Sequence, residues 1–412
     1  MKPVSAFAIL ACAAPALLFA DPGAPKVSGV VLAQPSSGTA TVTFDLDEDA
    51  VVTAEFFADG AAVPAEYVQS LSGDVNCKVA AGSGRTFSWR ADKDWPERSV
   101  AAFSVKVTAW PPLAPPDYMA VDLRAGADAP RVRYYASAGA VPGGATNRLY
   151  KSDVLLMRRI PAAMVRHRQG SPEGVVVSGH NEVPHLCTLS ADYYMGVYAF
   201  TEAQNALVGG GRTSTPAFVT GDDAAYYPFT GAYWKNHIRG NVAPAAEPAS
   251  GSTLAKLRTL TGISTIDLPT DAQWEYACRA GTDTTLNDGT ESGYGGASII
   301  GYNNALALAW FDGNAEGHPH EVGLKKPNAW GLYDMLGNVR EWCRDGSAAY
   351  AETDDVADPL LSGSLMLRGG CWNDGTYNCT SAHRDDVHGG WSGDGKQAWY
   401  GFRVMCGIPA ER

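Results

Sequence analysis

Residues 326–342 have the sequence KPNAWGLYDMLGNVREW, in which tryptophans flank a glycine-containing turn. Gly337 permits a positive φ angle or a close approach of two backbone segments. Trp330 and Trp342 supply apolar area, which a loop-rich fold needs for its core. The stretch therefore predicts a tightly turned segment that packs into a core.

Three further stretches share this mixture of aromatic residues, glycines and arginines. They are YYMGVYAFT at 193–201, LPTDAQWEYACR at 268–279, and RGGCWN at 368–373, the last joined by GFR at 401–403. Thr201 and Thr270 each stand three residues before a glutamine, the capping-box pattern that begins a helix. Gly281 is expected to end the second of these helices. Three arginines are expected to hydrogen-bond loop carbonyls: Arg279, Arg384 and Arg403.

Together and in this order, the four stretches resemble the sulfatase-modifying-factor family, which includes the formylglycine-generating enzymes. The resemblance implies an α+β, C-type-lectin-related fold with long loops, covering residues 119–412 with its core in 160–412. Formylglycine-generating enzymes oxidise a sulfatase cysteine to formylglycine, using O₂ and a copper(I) ion held by two thiolates. The resemblance therefore also implies where such a copper site would stand.

The family carries its two copper ligands as Cys-x4-Cys, a few residues after the Gly-Gly pair. Counting without gaps from Gly369 and Gly370 puts Asp374 at the first position and Cys379 at the second. Aligning on Arg384 instead leaves Cys379 outside the pair. Neither alignment gives Cys-x4-Cys, and a carboxylate is a poor substitute for a thiolate with a soft cation. Copper binding and the oxidase reaction are therefore not expected.

The resemblance carries further expectations for single residues. Asn338 and Glu341 stand where the family places a structural calcium, and their oxygens are hard ligands suited to Ca²⁺; a capped loop without metal is the alternative. Family members that lack the copper pair often keep four cysteines, which here suggest the disulfides Cys278–Cys406 and Cys343–Cys379, although sequence cannot settle connectivity. Cys371 stands where the family usually has serine and is expected to be a buried thiol. His318 and His320 are expected to be loop residues, not metal ligands.

The residues before this domain alternate in the manner of short strands. Apolar positions recur with period two in 39–46, 51–57, 86–89 and 103–109, with turn residues between them. This pattern favours an immunoglobulin- or fibronectin-like β-sandwich over residues 21–110, with Trp89 in its core. WPPLAPP at 110–116 predicts a stiff linker, placed at 111–118. Strand-like segments at 118–123 and 153–157 are expected to open the second domain.

The first twenty residues resemble a targeting segment. Lys2 precedes an apolar run from Phe7 to Phe19, which is too short to span a bilayer and predicts a secretory signal cut near Ala20. Cys12 lies in a lipobox-like context, so a lipid anchor is the alternative. No later run is long enough for a transmembrane helix. The expected location is secreted, periplasmic or in the cell envelope, where disulfides are plausible.

Composition narrows the functional classes. The 412 residues carry a formal net charge of −12, and no basic stripe is present, which excludes a nucleic-acid partner. No Gly-x-Ser-x-Gly elbow appears, which leaves a serine hydrolase unsupported. Two hypotheses remain: an oxidase of the formylglycine type or a divergent protein-modifying enzyme, and a non-catalytic module that binds a protein or glycan. The second would use a C-terminal surface containing Asn373, Asp374, Tyr377, Asn378, His383 and Trp391.

Overall fold

The structure is a computed structural model. It describes residues 24–33, 38–96, 100–124, 131–172, 182–210, 222–231, 233–292, 299–349, 356–387 and 399–408. The predicted signal segment 1–20, Cys12 and Trp391 lie outside the described residues. The chain is a mixed α+β protein with far more strand than helix. None of its described helices has the length and apolar character needed to cross a membrane.

The N-terminal region consists of two sheets that share one hydrophobic core. Its strands are β1 (Val27–Ala33), β2 (Thr39–Leu46), β3 (Ala50–Ala58), β4 (Ala61–Ala62), β5 (Ser72–Gly73), β6 (Cys77–Val79), β7 (Gly82–Arg90) and β8 (Phe103–Trp110), and a one-turn helix α1 (Ala91–Asp94) follows β7. One sheet has the order β1-β2-β7-β5, and the other joins β4, β3 and β6, with β8 paired to β3. In β2 every second side chain is buried, because successive residues of a strand point to opposite faces. Trp89 is fully buried in the shared core, as predicted.

These two sheets agree with the strand pattern of the sequence. The assignment to the immunoglobulin or fibronectin class stays a prediction, as do the domain boundaries.

The second region carries the remaining strands and helices. Its strands are β9 (Tyr118–Asp122), β10 (Val132–Tyr135), β11 (Val154–Ile160), β12 (Val165–Gln169), β13 (His185–Leu189), β14 (Tyr193–Gly196), β15 (Ile266–Asp267), β16 (Arg340–Gly346), β17 (Val356–Ala357), β18 (Leu365–Arg368), β19 (Arg384–Val387), β20 (Tyr400–Phe402) and β21 (Met405–Gly407). Its α-helices are α2 (Glu202–Val208), α3 (Thr253–Thr261), α4 (Asp271–Arg279) and α5 (Ile299–Leu306), and a π-helix spans Trp234–Ile238. The strands form three sheets, ordered β10-β9-β11-β14-β21-β15, β12-β13-β17 and β19-β18-β16-β20.

Both predicted capping boxes are confirmed. Thr201 and Thr270 accept hydrogen bonds from the backbone N–H groups of Gln204 and Gln273, and each glutamine side chain accepts from the threonine N–H in return. The end of α4 differs from the prediction, because Ala280 and not Gly281 is the residue that caps the helix in the left-handed conformation.

The four diagnostic stretches meet in the interior of the second region. Tyr193, Trp274 and Met335, which come from three of the stretches, share one core cluster, and Gly369 of the fourth contacts it. Gly369 packs so closely on Trp274 that an added Cβ would lie 3.1 Å from the indole ring. The long loops are thus held by a shared core and not by regular structure of their own.

The two regions are packed against each other. Val51 of β3 lies in the same core cluster as Met119 and Val121 of β9. The backbone N–H of Tyr134 donates to the carbonyl of Asn76 at 2.8 Å. The N-terminal region is therefore joined to the second region by core contacts as well as by the linker.

Candidate functional site

The candidate site is built on the loop that follows β18, residues 369–383, which we call the 369–383 loop. Gly369 and Gly370 begin it with φ angles of +90° and +70°. A Cβ at Gly370 would lie 2.8 Å from the carbonyl oxygen of Asn378 and 2.8 Å from the sulfur of Cys379. Only glycine fits there without displacing its neighbours, so the pair sets the tight turn that brings Cys379 back against the start of the loop.

Asp374 closes this turn by internal hydrogen bonds. Its Oδ1 accepts from Nη2 of Arg340 at 2.6 Å and from the amide of Asn378 at 3.2 Å. Its Oδ2 accepts from the backbone N–H of Cys371 at 2.8 Å. The side chain is almost fully buried. Both oxygens of the residue that aligns with the first copper ligand therefore already have protein donors.

The two cysteines of the loop are buried thiols. Cys371 is 1% exposed and Cys379 is fully buried, with its sulfur 3.9 Å from the carbonyl oxygen of Cys371. Burial raises the pKa of both thiols well above the usual value, and the negative charge of Asp374 raises it further. Since the thiolate is the nucleophile and the metal ligand, neither sulfur is prepared for either role at neutral pH. The expectation of a buried thiol at Cys371 is confirmed.

The copper site of the family can be compared with these residues. It requires two thiolates, and the aligned positions offer one protonated thiol and one carboxylate that is already bound to an arginine. Soft Cu(I) favours sulfur over carboxylate oxygen. The residues at 374 and 379 do not fit the ion.

Arg340 was not predicted, yet it is the central cation of the site. Besides Asp374, its guanidinium lies 3.1 Å from Oδ2 of Asp385, and its backbone N–H donates to the carbonyl of Trp399 at 2.7 Å. The parallel pairing of β16 with β20 places Arg340 beside Tyr400. That long-range pairing leaves no local pattern in the sequence, so nothing there indicated the role of this arginine.

The predicted binding residues divide into exposed and buried groups. Asn373 and Tyr377 are exposed, Tyr377 by 50%, and Asn378 is half-buried. Asp374 and His383 are buried; Nδ1 of His383 lies 3.3 Å from Oε1 of Glu182. The predicted surface therefore consists, within the described residues, of the tip of the loop and not of its whole length.

Asn338 and Glu341 have protein partners for their side-chain oxygens. Glu341 accepts from Nη2 of Arg403 at 2.8 Å and from the indole Nε1 of Trp274 at 2.7 Å. Oδ1 of Asn338 accepts from the backbone N–H of His320 at 2.9 Å. These contacts describe the capped loop that was the alternative to calcium. Calcium binding at Asn338 and Glu341 stays a prediction.

His318 and His320, near Asn338, take part in ring packing. The His320 ring stacks on Trp310 with centroids 3.8 Å apart, and Nζ of Lys325 lies 3.7 Å from the centroid of the Trp310 ring. Across the residues that the structure describes, no group of three or more His, Cys, Asp or Glu side chains is arranged to hold a metal ion.

The disulfide predictions were wrong, because all seven cysteines in the described ranges are free. Cys406 and Met405 are neighbours on β21 and point to opposite faces of the sheet. Cys406 lies in one core cluster, while Met405 and Cys278 lie in another, so the Cys406 side chain faces away from the cluster that contains Cys278. Cys343 and Cys379 do share a cluster, but the Cys379 thiol is directed at the Cys371 carbonyl and no bond joins the pair.

Buried arginines fasten the loop to helix α4. Arg368 is fully buried; its guanidinium contacts Asp271, lies 2.8 Å from Oε2 of Glu275, and donates to the carbonyl of Ala382 at 2.9 Å. The predicted carbonyl contacts of the other three arginines are confirmed: Arg279 to Gly170, Arg384 to Ala348, and Arg403 to Gly196. The carboxylates that also pair with them were not predicted, because the partners are far apart in sequence.

Comparisons with known proteins agree with the sequence motifs. Residues 159–408 match the family model described as "Sulfatase-modifying factor enzyme 1-like domain". A formylglycine-generating enzyme of Mycobacterium tuberculosis is 39% identical over 82 residues, 18% of this chain and 25% of that protein. The serine/threonine-protein kinase pkn1 of Chlamydia pneumoniae is 30% identical over 148 residues, 34% of this chain and 21% of that protein. The chain thus spans only about a fifth to a quarter of these relatives.

Two solved structures resemble about three fifths of the chain. Treponema denticola variable protein 1 has a TM-score of 0.48 and 24% identity, over 61% of this chain and 95% of that one. PvdO from Pseudomonas aeruginosa has a TM-score of 0.45 and 23% identity, over 61% of this chain and 94% of that one.

Proposed function

Because the chain belongs to the sulfatase-modifying factor enzyme 1-like family, we propose that it uses the family fold to recognise a protein or glycan, without copper-dependent oxidation of cysteine. The proposal rests on one observation. On the alignment without gaps, Asp374 stands where the resemblance places the first copper thiolate, and both of its carboxylate oxygens already accept hydrogen bonds from the protein. An aspartate used in this way is a structural residue of the loop and not a metal ligand.

The exposed tip of the 369–383 loop supplies the recognition surface. Tyr377 is 50% exposed, Asn373 is exposed four residues earlier in the same loop, and Trp372 is half-buried. Aromatic side chains offer large contact area at little conformational cost, and amides offer adaptable hydrogen bonds. The buried arginines hold the loop in place, so the surface is organised before a ligand binds.

The proposal also covers the export of the protein and the fold of its N-terminal region. We include an export signal in residues 1–20 and an immunoglobulin- or fibronectin-like fold for the N-terminal region as further parts of it. The two sheets with a common core support the second part.

Anaerobic Cu(I) titration against a competing chelator tests the absence of the metal site. The wild-type protein is expected to leave Cu(I) with the chelator, and D374C, which recreates Cys-x4-Cys, is expected to withdraw it. D385C is the matched control, because it also removes an Arg340 partner but places the thiol outside the pair. Tight Cu(I) binding by the wild type, together with conversion of a sulfatase-type cysteine peptide to formylglycine, would refute the proposal.

A divergent protein-modifying enzyme is the second candidate, and one contact favours it. The sulfur of Cys379 lies 3.9 Å from the backbone carbonyl oxygen of Cys371, and the Cys371 thiol contributes to the raised pKa of Cys379. If these thiols act together, C371S would abolish any activity of the wild type on a cysteine peptide. A wild type that is inactive on such peptides removes this candidate.

Binding itself is tested on a glycan array and with proteins from the native cell envelope. Y377A is expected to lose the ligands that the wild type retains. M164A is the control, because Met164 is 77% exposed on the turn between β11 and β12. Equal loss in both variants would mean that Tyr377 has no special part in recognition.

A further inference from the structure

A cavity of about 160 Å³ lies where the N-terminal region, the proline-rich linker and the second region meet. The cavity is lined by Lys78 of β6 in the N-terminal region, by Pro112 and Pro115 of the linker, and by Cys406 of β21 in the second region. Residues from three parts of the chain thus build one concave surface. Ligand pockets occur preferentially at such junctions.

The walls of the cavity are mainly apolar. Met119, Ile263 and Ile408 face it together with the two prolines. An apolar cavity of about 150 Å³ is large enough for a benzene molecule. The space therefore suits one small ring or a branched hydrocarbon, and excludes a large cofactor.

Among the described polar residues that line the cavity, one carries a charge. Thr265 donates its hydroxyl hydrogen to the carbonyl of Gly407 at 2.7 Å, and its oxygen lies 3.1 Å from the sulfur of Cys406. Burial raises the pKa of the Cys406 thiol to about 11, while the nearby ammonium group of Lys78 acts in the opposite direction. The thiol is neutral at physiological pH, so Lys78 is the one charged side chain among the described residues that line the cavity.

We propose that this cavity binds a small amphipathic anion, with a ring or branched hydrocarbon body against the apolar walls and a single carboxylate paired with Lys78. The site is separate from the 369–383 loop and independent of the function proposed for it. Because residues from both regions and from the linker form the walls, a bound anion would also bridge them.

Benzoate is the first probe, compared with the neutral benzyl alcohol by ligand-observed NMR on the full-length protein. Benzoate is expected to bind saturably and more tightly than benzyl alcohol. K78M should remove that preference, weakening benzoate roughly fivefold, as for the loss of an exposed ion pair of about 1 kcal/mol. K106M is the control, because Lys106 is an exposed lysine of β8 that does not line the cavity.

A second pair of variants tests the apolar part of the site. I263W fills the cavity and should abolish benzoate binding, whereas L113W adds the same side chain on an exposed linker residue outside it and should not. In the wild type, benzoate should also slow the modification of Cys406 by a small thiol reagent, which mass spectrometry can map even if I263W fails to fold. Absence of saturable binding, binding that I263W leaves intact, or no protection of Cys406 would each overturn the proposal.

Discussion

Asp374 is expected to stabilise the protein, because its carboxylate receives donors from three residues of the site. D374A would leave the guanidinium of Arg340 with Asp385 as its remaining carboxylate partner. Because Arg340 keeps that partner, the loss is that of charged hydrogen bonds and not of a whole ion pair, and urea unfolding should show a loss of about 2 kcal/mol. D312A, at an exposed aspartate of a neighbouring turn, is the control and should change little. An equal loss of unfolding free energy in D374A and D312A would show that the contacts of Asp374 do not stabilise the protein.

Asp334 should make the stability depend on pH. It is buried, with Oδ2 accepting from the N–H of Gly323 at 2.6 Å, and Oδ1 has no hydrogen-bond partner within the described ranges. Burial raises the pKa of this carboxyl to about 6. The unfolded chain ionises near its ordinary value of about 3.9. The free energy of unfolding therefore falls as pH rises from about 4 to 6, because the buried carboxyl must ionise. Above that range it does not fall further from this cause.

D334N removes this titration. Between pH 4 and pH 7.5 the stability of the variant relative to the wild type should rise by on the order of 2 kcal/mol. Urea unfolding at both pH values measures the change, and D312N provides the comparison at an exposed aspartate. A difference between variant and wild type that stays constant with pH would contradict the assignment.

At the level of residues, the sequence was most informative where the family motif is contiguous. Counting residues from Gly369 and Gly370 was enough to align Asp374 and Cys379 with the two copper-ligand positions. Arg340 lies inside a recognised motif, yet its partners Asp374 and Asp385 reach it only through the fold. Side-chain pairing across distant segments has no sequence period, which is why it was missed.

Helix α4 shows what local sequence can and cannot determine. Its start follows from Thr270 and Gln273, which satisfy each other within four residues. Its end depends on Asn328, whose side-chain amide donates to the carbonyls of Ala277 and Cys278 at 2.8 and 3.0 Å. A distant side chain therefore satisfies the last carbonyls.

The cap of α4 can be improved. Ala280 has φ +46° and ψ +40°, a conformation that costs a residue with a Cβ roughly 1–2 kcal/mol. A280G should raise the free energy of unfolding by about 1 kcal/mol, since the greater freedom of glycine in the unfolded chain offsets part of the gain. Chemical denaturation measures it. A277G, inside the same helix, should lower stability, and a loss in both variants would argue against the left-handed cap.

Strand β21 explains the failure of the disulfide prediction at the same scale. Alternation sends Met405 and Cys406 to different cores. The spacing of the cysteines does not show which side of the sheet Cys406 faces. That orientation depends on how the three-residue strand β21 pairs with its neighbours β14 and β15. Burial without pairing fits the raised pKa values of the Cys278 and Cys406 thiols, which burial holds at about 12 and about 11.

Across the whole molecule, the order of four short motifs was enough to predict the second region, although most of it lies in loops. The motifs carry tryptophans and glycines that pack together, such as Trp274 and Gly369. The N-terminal region was predicted from period-two strands, but its packing through Val51 onto Met119 and Val121 was not. Docking of one region on another depends on surfaces that a sequence pattern does not reveal.

The aromatic residues of the molecule should divide into those that stabilise it and those that serve recognition. Trp342 is 2% exposed in the core cluster that also contains Val51 and Met119, whereas Tyr377 is 50% exposed at the tip of the 369–383 loop. W342A should cost about 3–5 kcal/mol, as for other buried tryptophans. Y377A should leave the melting temperature nearly unchanged, because an exposed side chain contributes little to the core. Differential scanning calorimetry of both variants measures the contrast. A large destabilisation by Y377A would mean that this tyrosine supports the loop itself, and its effect on binding could then no longer be taken as evidence of direct contact with a ligand.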